Sequence, residues 1–377
     1  MCKSCNKANG GFFQEGKCHI CGGACDSIDG LIAKAAAMLK SEHGVRSFCI
    51  STNIPKDWLT REEDVWDVTL ERKSESVKNA LNRRIADGLR KACGLRYDSG
   101  NGECRAVFDL SADAQGITIE RMPLFIFGRY RKHVPGLSQS RWMCVKCGGR
   151  GCDSCKGKGK NYESVEERIG EPAREAADAQ GYVMHASGRE DVDATNTAGR
   201  AFVLEVSGPK IRDVDLGKLA KDIGKSEEVS VEGLAYVRRN EVEFVTESHF
   251  DKAYEAELEF SREIGEADVE KIKTLEGRTI LQQTPARVAH RRADLVRHRK
   301  IKQIEVLEPD SGARGRSRTA RVLIKAEAGT YIKELISGDE GRTRPSISEI
   351  IGGTAKCTKL TVTEIDDGFL NFCFEAL

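Results

Sequence analysis

Eight of the fourteen cysteines fall in four CxxC pairs. Cys2, Cys5, Cys18 and Cys21 follow C-x2-C-x12-C-x2-C. Cys144, Cys147, Cys152 and Cys155 follow C-x2-C-x4-C-x2-C. Each pair can present two thiolates to one ion, and the link between pairs lets the second complete a tetrahedron. In a reducing compartment such pairs point to metal rather than to disulfides. Structural zinc is therefore expected on both sets, with no open coordination position for catalysis. The four-residue link of the second set is short, so pairing between the N-terminal and central knuckles is an open alternative. Of the other six, Cys49, Cys93, Cys104, Cys357 and Cys373 read as small core residues, and Cys25 lies close to the first set.

Two further places hold residues able to do chemistry. Asp191 follows Gly188, Arg189 and Glu190 and precedes the apolar run FVLEV. A carboxylate there is held at a rigid loop edge. Taken alone, it reads first as a turn residue capping a backbone amide. Tyr331 and Lys333 lie two apart in GTYIKEL. At the tail of a strand, positions i and i+2 point the same way, which would set a ring beside a cation. Taken alone, they read first as a buried tyrosine beside a solvated lysine.

The elements around these residues belong to a soluble α+β chain of 377 residues. Sixty Lys+Arg against 59 Asp+Glu leave a net charge of +1, so bulk charge says nothing of nucleic acid. The charges are instead segregated. Residues 121–152 hold seven Lys or Arg and no acid; residues 287–302 hold seven against Asp294 alone; residues 312–325 hold five and no acid. Residues 227–276 carry 15 acids against 6 basic residues, net −9, and should face away from any nucleic acid. Such blocks point to a polyanionic partner. Tyr130 and Trp142 lie in the first basic block, offering rings for bases beside charge for phosphate. Candidate RNA contacts are Arg129, Arg131, Lys132, Arg141, Arg287, Arg291, Arg292, Arg297 and Arg342.

Strands are expected at 46–52, 104–110, 117–127, 202–206, 321–327, 359–365 and 370–374. A helix is expected over 73–92, where Val77, Leu81, Ile85 and Leu89 make one face. Ser74 or Ser76 would cap it, and Gly94 would end it. A short helix is expected near 331–336. The chain has no G-x-G-x-x-G, P-loop, H-E-x-x-H or G-x-S-x-G. A nicotinamide dehydrogenase, P-loop NTPase, zincin or α/β-hydrolase is disfavoured accordingly. No apolar run approaches the roughly 18 residues of a membrane span, and the N-terminus lacks a signal-peptide core. A cytoplasmic chain with no membrane partner is expected.

FGRYRKHVPGLSQSRW, the central CxxC set, GREDVD, TPARVAHRRADLVRHRK and GTYIKELISGDEGRTRPS occur in this order. Together they resemble the archaeal and eukaryotic tRNA pseudouridine synthase family, which joins an N-terminal THUMP-containing region to a pseudouridine synthase domain. The resemblance covers most of the chain and matches 227–276 only loosely. It implies an isomerase that converts uridine 54, uridine 55 or both in the tRNA T arm. It makes Asp191 the catalytic aspartate, Tyr331 the ring that packs on the target uracil, and Lys333 the cation beside the aspartate. It implies a mixed, mainly antiparallel sheet in the catalytic domain, tRNA as partner, and no organic cofactor; a monomer is expected because no coiled-coil or apolar dimer stripe stands out in the sequence. The expected division is a zinc knuckle pair at 1–25, a THUMP-like RNA-binding domain at 26–160, and the catalytic domain at 161–377. A non-catalytic, zinc-containing tRNA-binding module is the alternative. CVKCGGRGCDSC is also similar to the repeats of Hsp40-type chaperones, but no HPD tripeptide accompanies it.

Overall fold

The computed structural model describes residues 1–11, 13–69, 75–111, 116–307 and 317–370. The chain packs as two compact units. The first comprises Met1–Leu124, Arg174–Gly181 and Val206–Val214. The second comprises Phe125–Ala173, Tyr182–Glu205 and Asp215–Leu377. Residues 125–160, expected with the N-terminal domain, thus pack with the C-terminal unit.

The first unit contains α1 (Lys3–Ala8), α2 (Ile28–Ser41), β1 (Ser47–Asn53), α3 (Lys56–Thr69), α4 (Val77–Cys93), β2 (Arg96–Tyr97), β3 (Cys104–Asp109) and β4 (Gly116–Arg121). Its sheet runs β2-β1-β3-β4, with β1 parallel to β2 and β3, and β4 antiparallel to β3. The α4 face read from the sequence is buried: Val77, Leu81, Ile85 and Leu89 all pack in the core. Each contributes roughly 1.5–3 kcal/mol by leaving water. Ser76 Oγ accepts from the Asn79 amide, and Gly94 ends the helix at φ +74°. Residues 73 and 74, the expected start, lie outside the described residues. Gly88 lets α2 come close, since a Cβ there would stand 2.9 Å from Ile32 Cγ2.

The second unit contains β5 (Leu124–Lys132), α5 (Val165–Ala176), β6 (Gly181–Ala186), β7 (Thr195–Ser207), α6 (Leu216–Gly224), β8 (Val229–Val237), α7 (Asn240–Thr246) and β9 (Lys252–Ile264). It continues with α8 (Glu266–Lys273), β10 (Thr279–Gln283), β11 (Val296–Leu307), β12 (Ser317–Ala326), α9 (Ile332–Ser337), β13 (Thr343–Arg344), α10 (Ile347–Ile351) and β14 (Ala355–Ile365). A ten-stranded sheet follows the order β13-β10-β11-β12-β9-β14-β7-β5-β8, with β6 on β7. The pairings along β13 to β14 are antiparallel, as is β5 with β8, while β14 runs parallel to β7. The sheet is thus mixed and mainly antiparallel.

The strand expected at 117–127 is two strands, β4 and β5, because Pro123 offers no amide to a ladder. The strand at 202–206 is the inner part of β7, where residues 200–204 are buried in succession. Residues 371–374 of the last expected strand lie outside the described residues.

Candidate active site

Asp191 sits in the loop between β6 and β7. A positive φ at Gly188 (+82°) turns the chain into this loop. The turn closes as the Ala194 amide donates to the Asp191 carbonyl at 3.1 Å. Beneath it lies a buried polar layer. Arg200 Nε donates to Glu190 Oε2 at 2.7 Å, and both side chains are within 2% of full burial. Tyr130 OH donates to both Glu190 oxygens, and Gln139 Nε2 donates to the Gly188 carbonyl at 2.6 Å. Lys132 is 1% exposed and donates to the carbonyls of Leu137, Asp191 and Val192 at 2.8, 3.1 and 2.8 Å. Its burial pushes the ammonium down to about 8, opposed by Glu190, Asp193 and Asp191. A buried cation with three donors and three acceptors is fully satisfied. It fixes the backbone that carries Asp191.

Facing this loop, Tyr331 is the extended cap of α9, and Lys333 lies in its first turn. They are therefore not on a strand tail, but both line the same cleft as Asp191. Gln282, fully buried on β10, grips Tyr331 by both backbone groups: its amide nitrogen donates to the Tyr331 carbonyl, and its oxygen accepts from the Tyr331 amide, each at 2.9 Å. Arg292 Nη1 donates to Tyr331 OH at 3.0 Å. Lys333 Nζ lies 3.5 Å from Asp191 Oδ2 and also pairs with Asp193. The nearer cation is Arg287, in the 3-10 turn Ala286–Arg291. Its Nη1 lies 2.8 Å from Asp191 Oδ1, and its Nε lies 2.7 Å from Glu334 Oε1. Burial opposes the charge on Arg287, but Glu334 and Asp191 more than offset it and raise its pKa.

The cleft has a volume of about 380 Å³ and includes Lys252 and Tyr254 of β9. Burial pushes Lys252 down to about 8 and Tyr254 up to about 12. Both come from the acidic stretch expected to face away. That stretch instead contributes one side of the cleft, because β9 lies between β12 and β14 in the sheet.

The cysteine sets close separately, which removes cross-pairing between them. Within each set the sulfurs lie within 4.8 Å of one another. A tetrahedral ion with about 2.3 Å bonds to sulfur sets its ligands roughly 3.8 Å apart. Cys144 and Cys152 stand 3.9 Å apart, and Cys155 is 3.8 Å from both Cys147 and Cys152. In the first set, Cys21 is 3.5 Å from both Cys2 and Cys5. The spacing therefore fits one tetrahedral ion per set. Backbone amides of Cys152 and Gly159 donate to Cys155 Sγ, each at 3.2 Å. Desolvation opposes ionisation of Cys155, but those amides bring its thiol down to about 6. The second knuckle hangs from a closed stem: Met143 bridges to Lys160, and the Cys144 amide donates to the Gly159 carbonyl.

Residues 125–366, most of the second unit, match the family model described as "Pus10, C-terminal". The chain belongs to the Pus10 family. It is 39% identical to "tRNA pseudouridine synthase Pus10" of Methanothrix thermoacetophila, over 97% of this chain and 81% of that protein. It is 38% identical to the protein of the same name from Methanocaldococcus jannaschii, over 91% of this chain and 73% of that one. Among solved structures, a Cbf5-Nop10-Gar1 complex overlaps 51% of this chain and 43% of its own at 21% identity. The TM-score is 0.31, too partial to carry any argument.

In this Pus10-family chain the expected RNA contacts divide into two groups. Lys132 and Tyr130 are enclosed and cannot touch RNA, because β5 turns both side chains into the layer beneath Asp191. Arg129 pairs with Asp367 at 2.6 Å and is largely buried, and Arg131 is forked onto Glu232. Arg297 donates to Thr284 Oγ1, and Arg342 joins the Thr284 carbonyl and Asp294. Arg287 and Arg292 line the cleft, and Arg141 is exposed beside Trp142. The Arg291 side chain lies outside the described residues. The cleft residues missed in the sequence, Tyr254 and Lys252, and the supporting Gln282 sit in segments without a motif, while Glu334 lies unremarked inside GTYIKEL; only the fold gathers them. Among the described residues no helix is long and apolar enough to cross a membrane.

Proposed function

We propose that this chain isomerises uridine to pseudouridine in the T arm of tRNA, at position 54, 55 or both, with Asp191 as the catalytic carboxylate. Membership of the Pus10 family makes it a pseudouridine synthase, an isomerase. The observation that supports Asp191 is convergence. A carboxylate, a ring and two cations from three separate segments, at 191, 287 and 331–333, line one cleft.

The reaction breaks the bond from ribose C1′ to N1, turns the ring, joins C1′ to C5, and releases the C5 proton to solvent as N1 gains one. Atoms and electrons balance without an oxidant or an activated co-substrate. Asp191 supplies the lone pair, as nucleophile at C1′ or as base. Arg287 and Lys333 stand against it as counter-charges, at 2.8 and 3.5 Å. A base inside a loop must leave its stack to reach this carboxylate, and Tyr331 offers it a ring to pack against. Arg292 and Arg141 would meet backbone phosphates.

Zinc is the ion proposed for both four-cysteine sets, since closed thiolate tetrahedra suit it. The eight cysteines would hold it for structure and RNA positioning. The N-terminal unit, with the knuckle pair and the THUMP-like stretch after it, is proposed to dock the tRNA. A cytoplasmic monomer acting on tRNA completes the reading.

The test maps pseudouridine in unmodified tRNA transcript by carbodiimide treatment and reverse transcription. Wild type should convert a T-arm uridine, and Asp191→Ala should convert none while binding tRNA equally. Tight binding with no conversion by wild type would favour a non-catalytic binding module.

A further inference from the structure

A second cavity, of about 240 Å³, lies against the catalytic cleft. The two share Arg189, Glu190, Asp191, Arg287 and Lys333 as a common wall. On its far side the second cavity is closed by residues 138–142, the chain between β5 and the central knuckle. We propose that this cavity holds the nucleobase next to the target uridine, stacked on Trp142. The proposal rests on the RNA-isomerase reading above and names a subsite that reading does not contain.

Three observations carry it. First, Trp142 is half-buried and lines the cavity, and Tyr162 meets its ring nearly edge-on, at 6.3 Å and 74°. That contact holds the indole in place, as a stacking platform requires. Second, the polar groups are prepared for a base edge. Gln139 Nε2 is committed to the Gly188 carbonyl and Tyr130 OH, at 2.6 and 3.2 Å. The side chain is thereby fixed, and its amide oxygen is left as an acceptor for a base N–H. Ser140 adds a hydroxyl on the same wall. Third, Asp191 itself lines both cavities, so a uridine presented to it borders the second cavity. Trp142 and Asp191 line this one cavity together, so the neighbour of a uridine held at Asp191 is offered the indole. Arg189 and Arg287 stand on that wall, where the intervening phosphate would pass.

A flipped uridine whose neighbour stays stacked in the loop bears the whole unstacking cost by itself. A ring for the neighbour returns part of that cost, so Trp142 should act on KM more than on kcat.

The experiment uses the full chain with whole tRNA assembled by ligation, either intact or with an abasic residue immediately 5′ or 3′ of the converted uridine. On intact tRNA, Trp142→Ala should raise KM about tenfold with kcat little changed. On tRNA abasic at the docked side, wild type should lose the same factor, and the variant should lose nothing more. A Trp142→Ala penalty that persists in full on both abasic RNAs would overturn the proposal, as would no penalty at all. A binding readout keeps the test independent of turnover. 2-Aminopurine at the docked position should be quenched by wild type and by Trp142→Phe but not by Trp142→Leu. Equal quenching by all three proteins would also overturn it. Failure of wild type to convert intact tRNA would instead sink the activity reading, while the 2-aminopurine result would still decide the subsite.

Discussion

Arg287 stands nearer to Asp191 than Lys333 does, at 2.8 Å against 3.5 Å. Arg287 is also anchored from behind by the buried Glu334, whereas Lys333 divides its charge between Asp191 and Asp193. The stronger hold on the carboxylate therefore belongs to Arg287. Arg287→Met should cut single-turnover conversion by at least ~tenfold, since it removes the nearer positioning contact to Asp191 and leaves the buried Glu334 without its partner. Lys333→Met should cost less. The double variant should show non-additivity, because both cations act on one carboxylate. Equal and independent losses would mean that the two cations do not share Asp191.

Lys132 should act through backbone position alone. Lys132→Met removes three donors from the loop without touching the cleft surface. A kcat loss on the order of tenfold to a hundredfold is expected, with KM within about threefold, because small misplacements of a reacting group are costly. Lys132 also gives pH two opposite effects. An unfolded lysine titrates near ~10.4, and burial holds Lys132 down to about 8. Between those values the unfolded chain carries the extra proton, so this group makes stability rise with pH. Lys252, also held down to about 8, adds to that rise. Activity moves the other way, since a neutral amine has one donor fewer for three carbonyls. Urea melts and single-turnover rates from pH 7 to 9.5 would show it, and a flat rate across that range would refute the role given to Lys132.

Each cysteine set should bind its own ion. Metal analysis of protein purified without chelator should find two zinc ions per chain. Cys21→Ser and Cys147→Ser should each lose one. The first knuckle is tied to the core of its unit, with Arg84 of α4 donating to the Cys25 carbonyl and to Ser4 Oγ, both at 2.7 Å. Loss of that ion should therefore lower the melting temperature of the first unit. Loss of the second should leave the melting profile nearly unchanged. A single shared ion, or none, would refute the pairing.

Much of this was legible from residue types and spacing. The CxxC pairs, the α4 face with its cap, and the strands near Ser47, Cys104 and Lys359 needed only local rules, although the last begins four residues earlier, at Ala355. The proposed catalytic trio was legible only through its resemblance to a family, because Asp191 and Lys333 meet by sheet topology and not by spacing. What local patterns could not show is which basic residues point inward. Arg129 and Lys132 lie three apart, on opposite faces of β5, in a string that reads as a basic surface, yet Arg129 is drawn onto Asp367 and Lys132 onto the loop carbonyls as internal ties. Nothing in the string RYRK distinguishes a lysine that holds a loop from one that meets a phosphate. Tyr254 and Lys252 were hidden for the same reason, within a stretch whose net charge pointed away from RNA.

The second knuckle leaves and rejoins the chain through a single paired stem at Met143 and Lys160. Everything between is closed by its own sulfurs and amides. Such a segment behaves as a cassette. Cutting at the stem and joining with a short turn would remove sixteen residues, 144–159, without opening the sheet behind it. A chain built this way can gain or shed a four-cysteine finger as one inheritable event, while the loop carrying Asp191 stays in place.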